Sequence, residues 1–95
     1  MVAEDDPVSR LVLQRTLERL GHECLTAAAG DEAWSMHEKA PAEVIISDWL
    51  MPGMEGVEFC RRVRQHDRGV YTYFILMTSL ADEVVLIAKT GLKPR

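Results

Sequence analysis

The sequence predicts an α/β domain built on an open, doubly wound parallel sheet, and three observations lead there. Short apolar runs alternate with amphipathic stretches along the chain, the pattern of βα units. Two of those runs, Val44-Ile45-Ile46-Ser47 and Tyr73-Phe74-Ile75-Leu76-Met77-Thr78, are almost continuously apolar, as strands covered on both faces are. Asp-Pro, Gly-Asp and Pro-Gly steps punctuate the boundaries. A length of 95 residues allows one domain with one modest core, so residues 1–95 are read as a single unit.

Met1-Val2-Ala3 reads as the end of an abbreviated first strand. Asp6-Pro7 opens a helix, with Asp as N-cap and Pro at the first helical position, and Gly21 closes it at C′. Leu13, Leu17 and Leu20 form one stripe while Val8, Leu11 and Val12 point elsewhere, so this helix expects cover on two sides. Residues 22–27 form a weakly alternating strand. Gly30-Asp31 opens a second helix with Ala33, Met36 and Ala40 on one face, and Pro41 stops it. Val44-Ile45-Ile46-Ser47 is the third strand, followed by a loop over 48–54 that turns at Pro52-Gly53. The third helix, Gly56–Gln65, points Phe59, Cys60 and Val63 inward and carries Arg61, Arg62 and Arg64 on a solvated face. Residues 73–78 form the fourth strand. Residues 80–95 stay open: 82–89 fits a helix with Gly91 at C′, yet Val84-Val85-Leu86-Ile87 fits a strand equally well.

Composition excludes several classes. A hydrophobic fraction of 47% and a charged fraction of 27% are those of a globular chain rather than a disordered or coiled-coil one. Fifteen Asp and Glu against eleven Lys and Arg give −4, which argues against nucleic acid and anionic membrane surfaces as partners. No apolar run approaches the roughly 18–20 residues of a membrane helix. The acidic Glu4-Asp5-Asp6 so near the start leaves no basic n-region or apolar h-region, so no signal peptide is expected. Cys24 and Cys60, outside any CxxC pattern, read as small buried hydrophobes in a reducing, cytoplasmic compartment. His22, His37 and His66 show no ligand spacing and read as surface or boundary residues.

In open parallel sheets, ligands bind beyond the carboxyl ends of the strands. Glu4, Asp5 and Asp6 follow the first strand, Asp48 ends the third, and Thr78 and Ser79 end the fourth. Each has a plainer explanation alone: Asp6 as a cap, Glu4 and Asp5 as charges near a helix N-terminus, Asp48 as a turn starter. Their joint arrival at one sheet edge is what favours a site. Several carboxylates repel one another unless a cation neutralises them, and magnesium takes oxygen ligands of this kind. Such an ion would keep Asp48 ionised as a nucleophile and offset charge on an incoming phosphoryl group.

Three segments carry a family resemblance. Val2-Ala3-Glu4-Asp5-Asp6-Pro7-Val8-Ser9-Arg10, Ser47-Asp48-Trp49-Leu50-Met51-Pro52-Gly53-Met54-Glu55-Gly56 and Ile75-Leu76-Met77-Thr78-Ser79 resemble the acidic pair, the phosphoacceptor loop and the switch strand of the receiver domain of two-component response regulators. The match runs over residues 1 to about 82 and implies the flavodoxin-like receiver fold. It implies that Asp48 is the phosphoacceptor, that Glu4, Asp5, Asp48 and the backbone carbonyl of Leu50 hold Mg2+, and that Thr78 is the switch hydroxyl. It implies a sensor histidine kinase or phosphotransfer domain as the phosphodonor, with self-catalysed transfer and later hydrolysis rather than enzymatic turnover. The family's lysine falls on Lys93 of Lys93-Pro94, with Lys89 as a rival. The stretch between Thr78 and Lys93 is too short for a helix, two loops and a strand, so part or all of the fifth strand and the fifth helix is expected to be lacking. The family's aromatic switch position would be Thr90. An uncovered first helix and an open fourth strand would then favour self-association. The alternative reading is an interaction or dimerisation module of the same fold without phosphotransfer. A phosphohydrolase is disfavoured because Leu50 stands where such enzymes carry a second Asp.

Overall fold

The sheet of the computed structural model has the strand order β2-β1-β3-β4-β5. The structure describes the backbone of residues 1–66, 71–80 and 83–89 and the side chains of 1–66 and 71–77. The elements are β1 (Val2–Ala3), α1 (Pro7–Arg19), β2 (Thr26–Ala27), α2 (Gly30–Lys39), β3 (Val44–Asp48), α3 (Gly56–Gln65), β4 (Tyr73–Leu80) and β5 (Glu83–Lys89). The first four strands are parallel, with Val2 level with Thr26 and Ile46, and Ile46 level with Ile75. This is the predicted open sheet, with its crossover at β1, where the chain turns back from β2 to β3.

Local chemistry sets the helix ends. The Asp6 carboxylate accepts the Ser9 N–H at 2.8 Å, and Pro7 gives up no needed donor at the first position. Gly21 follows the α1 C-cap with φ 95°, a conformation a side chain would strain. One sheet face and the inner faces of α2 and α3 enclose the core: Ala3, Ala27, Ala33, Ile45, Met51, Phe59, Cys60, Val63, Phe74 and Leu76. Phe59 and Phe74 meet edge to face at 5.2 Å between ring centroids, an arrangement that adds to their burial.

The opposite sheet face, beside α1, is only partly covered. Tyr73 is 59% exposed and Val44 43%, and a cleft of about 610 Å³ opens between Met1, Leu17, His22, Leu25, Val44 and Ile46. On α1 itself Val8 is 69% exposed, Leu11 48% and Val12 58%, so the second apolar stripe has no cover among the described residues. No helix among the described residues is long and apolar enough to cross a membrane.

Several expectations need correction. The second strand is confined to Thr26–Ala27 because two-residue β1 offers it no longer ladder. His37 is not a surface residue: it is 3% exposed, and its Nδ1 accepts the Ala42 N–H at 3.1 Å, which satisfies it inside the core. Ala40 and Leu20 are exposed as the C-caps of α2 and α1, and Cys24 is only half-buried. Arg64 packs over the Tyr71 ring at 4.7 Å instead of lying wholly in solvent. A fifth strand is present, but it returns antiparallel along β4, with Leu80 level with Glu83 and Ile75 with Lys89. The sequence between β4 and its return is too short for a crossover helix, and a direct return needs none. β5 therefore occupies the outer edge of β4, which contradicts self-association through an open fourth strand.

Candidate functional site

The sheet register builds the site. Ala3 is level with Ser47, so the next residues, Glu4 and Asp48, emerge side by side at the carboxyl ends of β1 and β3. Asp48 is level with Met77, and the Trp49 N–H donates to the Met77 carbonyl at 2.8 Å, so Thr78 follows in the backbone at the same edge. One carboxylate oxygen each from Glu4, Asp5 and Asp48 lies within 4.8 Å of the other two. Glu4 is buried at 8% exposure, Asp48 half-buried and Asp5 exposed, so the cluster opens to solvent on the Asp5 side.

The β1–α1 loop is tightly tied. The Glu4 N–H donates to the Ala27 carbonyl at 3.0 Å, and the Asp6 N–H donates to Oε2 of Glu4 at 3.0 Å. The Arg10 guanidinium donates to the Glu4 carbonyl at 2.9 Å and the Asp5 carbonyl at 3.3 Å. Asp48 is held by the Trp49 N–H, which donates to its Oδ1 at 2.9 Å, while buried Ser47 donates its hydroxyl to the Asp48 carbonyl at 2.9 Å. Gly56 opens α3 directly against that carbonyl, where a Cβ would collide with the Asp48 oxygen and with Leu76. The Gly30 N–H donates to the Pro52 carbonyl at 3.1 Å, which seats α2 on the loop after Asp48.

The electrostatics are those of a crowded acidic cluster. Burial, with Asp48 close by, pushes Glu4 up to about 7. Burial also raises Asp48, against the pull of the Trp49 N–H. Two carboxylate oxygens within 4.8 Å of each other, when both groups are ionised, repel by at least roughly 3 kcal/mol at an effective dielectric of about 20. All donors are hard oxygens, they converge from separate segments, and their mutual repulsion is relieved by a cation; the residues fit a hard divalent ion. Leu50 lies two residues past Asp48 with an exposed side chain, and its carbonyl accepts no hydrogen bond among the described residues.

The structure thus brings together Glu4, Asp5 and Asp48 and leaves Asp6 as the helix cap. Lys89 is level with Ile75, two residues back along β4 from the partner of Asp48, and Lys93 lies outside the described residues. The sequence reading assigned no role to Arg10. The available signal was its place in the first turn of α1, since long helical side chains lean back over the N-terminal turn.

Comparisons with known proteins identify a family and a fold. The family described as the response regulator receiver domain matches residues 1–93. Chemotaxis protein CheY1 of Helicobacter pylori is 35% identical over 95 residues, which cover 96% of this chain and 77% of that protein. The transcriptional regulatory protein AfsQ1 of Streptomyces coelicolor is 32% identical over 87 residues, covering 92% of this chain but only 37% of AfsQ1. The chain likewise spans 36% of the phosphate regulon regulator PhoB of Rhizobium meliloti, at 34% identity over 82 residues and 86% of this chain. Among solved structures, response regulator TrrA of Thermotoga maritima in complex with Mg(2+)-BeF superposes with a TM-score of 0.76 at 30% identity, covering 84% of this chain and 68% of that one. Chemotaxis regulator CheY4 of Vibrio cholerae gives 0.75 at 37% identity, covering 79% and 62%.

Proposed function

The chain belongs to the response regulator receiver domain family, and from that membership we propose that it is a Mg2+-dependent phosphoryl switch of a two-component system, with Asp48 as the phosphoacceptor. The observation that carries this reading is the convergence of Glu4, Asp5 and Asp48 within 4.8 Å at the carboxyl edge of the sheet. TrrA, solved with Mg(2+)-BeF, is similar enough in fold to support Mg2+ as the ion. Glu4, Asp5, Asp48 and the Leu50 carbonyl would hold it. Bound there, it would offset charge on the transferring phosphoryl group.

The chain's own residues do the rest. Oδ1 of Asp48 is engaged by the Trp49 N–H, which leaves Oδ2 to attack phosphorus. The P–N bond of a phosphohistidine on a kinase or phosphotransfer partner breaks as the P–O bond to Asp48 forms. The departing imidazole keeps the electron pair and takes up a proton. Water later attacks the acyl phosphate and returns the free carboxylate and inorganic phosphate. Phosphorylation places about −1.5 to −2 charges at the β3 edge. The Thr78 hydroxyl would turn toward that charge and carry the change into β4. The fixed positive charge is assigned to Lys93, with Lys89 as its rival. Residues 1–95 act as a single receiver unit in a cytoplasmic setting.

The test is incorporation of phosphate from acetyl phosphate with Mg2+. The wild type should gain one hydroxylamine-labile phosphate. Asp48→Asn should gain none while staying folded, and should be slightly more stable without Mg2+ because a like charge is gone. A wild type that stays unlabelled favours the alternative, an interaction module of the same fold. Acyl phosphate on Asp48→Asn sinks the assignment of the acceptor.

A further inference from the structure

We infer that Arg10 is a positioning residue for the divalent-ion site, fixing the Glu4-Asp5 loop through its carbonyls rather than neutralising its carboxylates; this rests on the reading of Glu4 and Asp5 as ion ligands. Arg10 stands among three acidic residues, yet among the described residues it forms no ion pair with any of them. Its NH1 group instead donates to the carbonyl of Glu4 at 2.9 Å and to that of Asp5 at 3.3 Å.

Two consequences follow from that choice of partners. The carboxylates keep their lone pairs for a cation, because the guanidinium hydrogen bonds that reach this loop, both from NH1, go to backbone carbonyls. The backbone of both acidic residues is pinned from the α1 side while the Glu4 N–H is pinned from β2, so the two side chains leave the loop in a fixed direction. Groups that orient ion ligands from behind commonly change metal affinity by about 10- to 100-fold when removed.

The position also costs something. The first turn of α1 contains no acidic residue, and a cation near a helix N-terminus opposes the helix dipole. A positive charge near the site also repels an incoming dication. Charge alone therefore makes Arg10 a hindrance to ion binding, and removing it should tighten binding. Positioning gives the opposite sign.

That difference in sign is the test. Mg2+ affinity of the wild type, Arg10→Gln and Arg10→Lys is measured by isothermal titration calorimetry on the intact chain. In parallel, amide hydrogen exchange without metal is followed at Asp6, whose N–H binds the Glu4 carboxylate, and at Phe59 in the core. Arg10→Gln should bind Mg2+ about tenfold more weakly. Arg10→Lys, which keeps the charge on a more strongly hydrated ammonium with less reach, should fall between the two. The Asp6 amide should exchange faster in Arg10→Gln while Phe59 keeps its protection. Equal or tighter Mg2+ binding by Arg10→Gln overturns the inference, as does an unchanged Asp6 amide or a loss of Phe59 protection. A wild type that takes up no Mg2+ refutes the ion-site reading itself, and the metal-free exchange data then show separately whether Arg10 orders the loop.

Discussion

Glu4 is where burial and like charge meet most sharply. Its carboxyl is raised from an ordinary 4.5 to about 7, first by burial, with Asp48 adding to the effect. The folded chain therefore binds a proton that the unfolded chain has lost between those values. The stability this contributes is complete below about 4.5 and disappears as the pH rises through about 7. His37 works the other way: burial lowers its pKa below 6.5, so its contribution is lost as the pH falls. The clean readout is consequently a difference. In metal-free denaturant unfolding, Glu4→Gln should make the decline that wild type shows between pH 4.5 and 7 shallower, leaving the part that raised Asp48 contributes. Parallel curves for the two proteins across that window would mean that Glu4 is not buried among other carboxylates. At this scale the acidic positions were legible in the sequence because a strand end is a place, and residues there share an edge. Arg10 and His37 were not legible, since each acts through backbone groups of other segments that no sequence motif records.

The elements matter through how closely they approach the Asp48 loop. α3 begins against the Asp48 carbonyl, and α2 begins against the Pro52 carbonyl, so both helices set the loop from opposite ends. Gly56→Ala should destabilise the chain by about 1–3 kcal/mol, the usual cost of forcing one methyl into a packed contact. It should also slow phosphate incorporation, because relief of the clash moves either α3 or Asp48. Thermal unfolding checks the first part and labelling at saturating Mg2+ the second; a neutral substitution in both would contradict the tight seat of α3. The periodicity of α1 and the β-branched run of β3 made those elements readable in advance. Val84-Val85-Leu86-Ile87 was not readable, because an apolar tetrapeptide satisfies either period. The strand outcome depends on the free edge of β4, a partner distant from the local pattern.

Across the whole molecule the two sheet faces differ. One is sealed by α2 and α3 over a continuous core, while the other lies beside α1 with Val44 and Tyr73 exposed. The sealed half ends at Asp48 and holds the Glu4 edge in register, so the half of the fold that is best packed is also the half that positions the acidic cluster. The most direct test is anomalous diffraction from crystals soaked in Mn2+, which shares Mg2+'s taste for octahedral oxygen ligands. A single peak coordinated by Glu4, Asp5 and Asp48 is the expected result. No peak there, or carboxylates turned away from one another around an empty edge, would contradict the ion-centred switch.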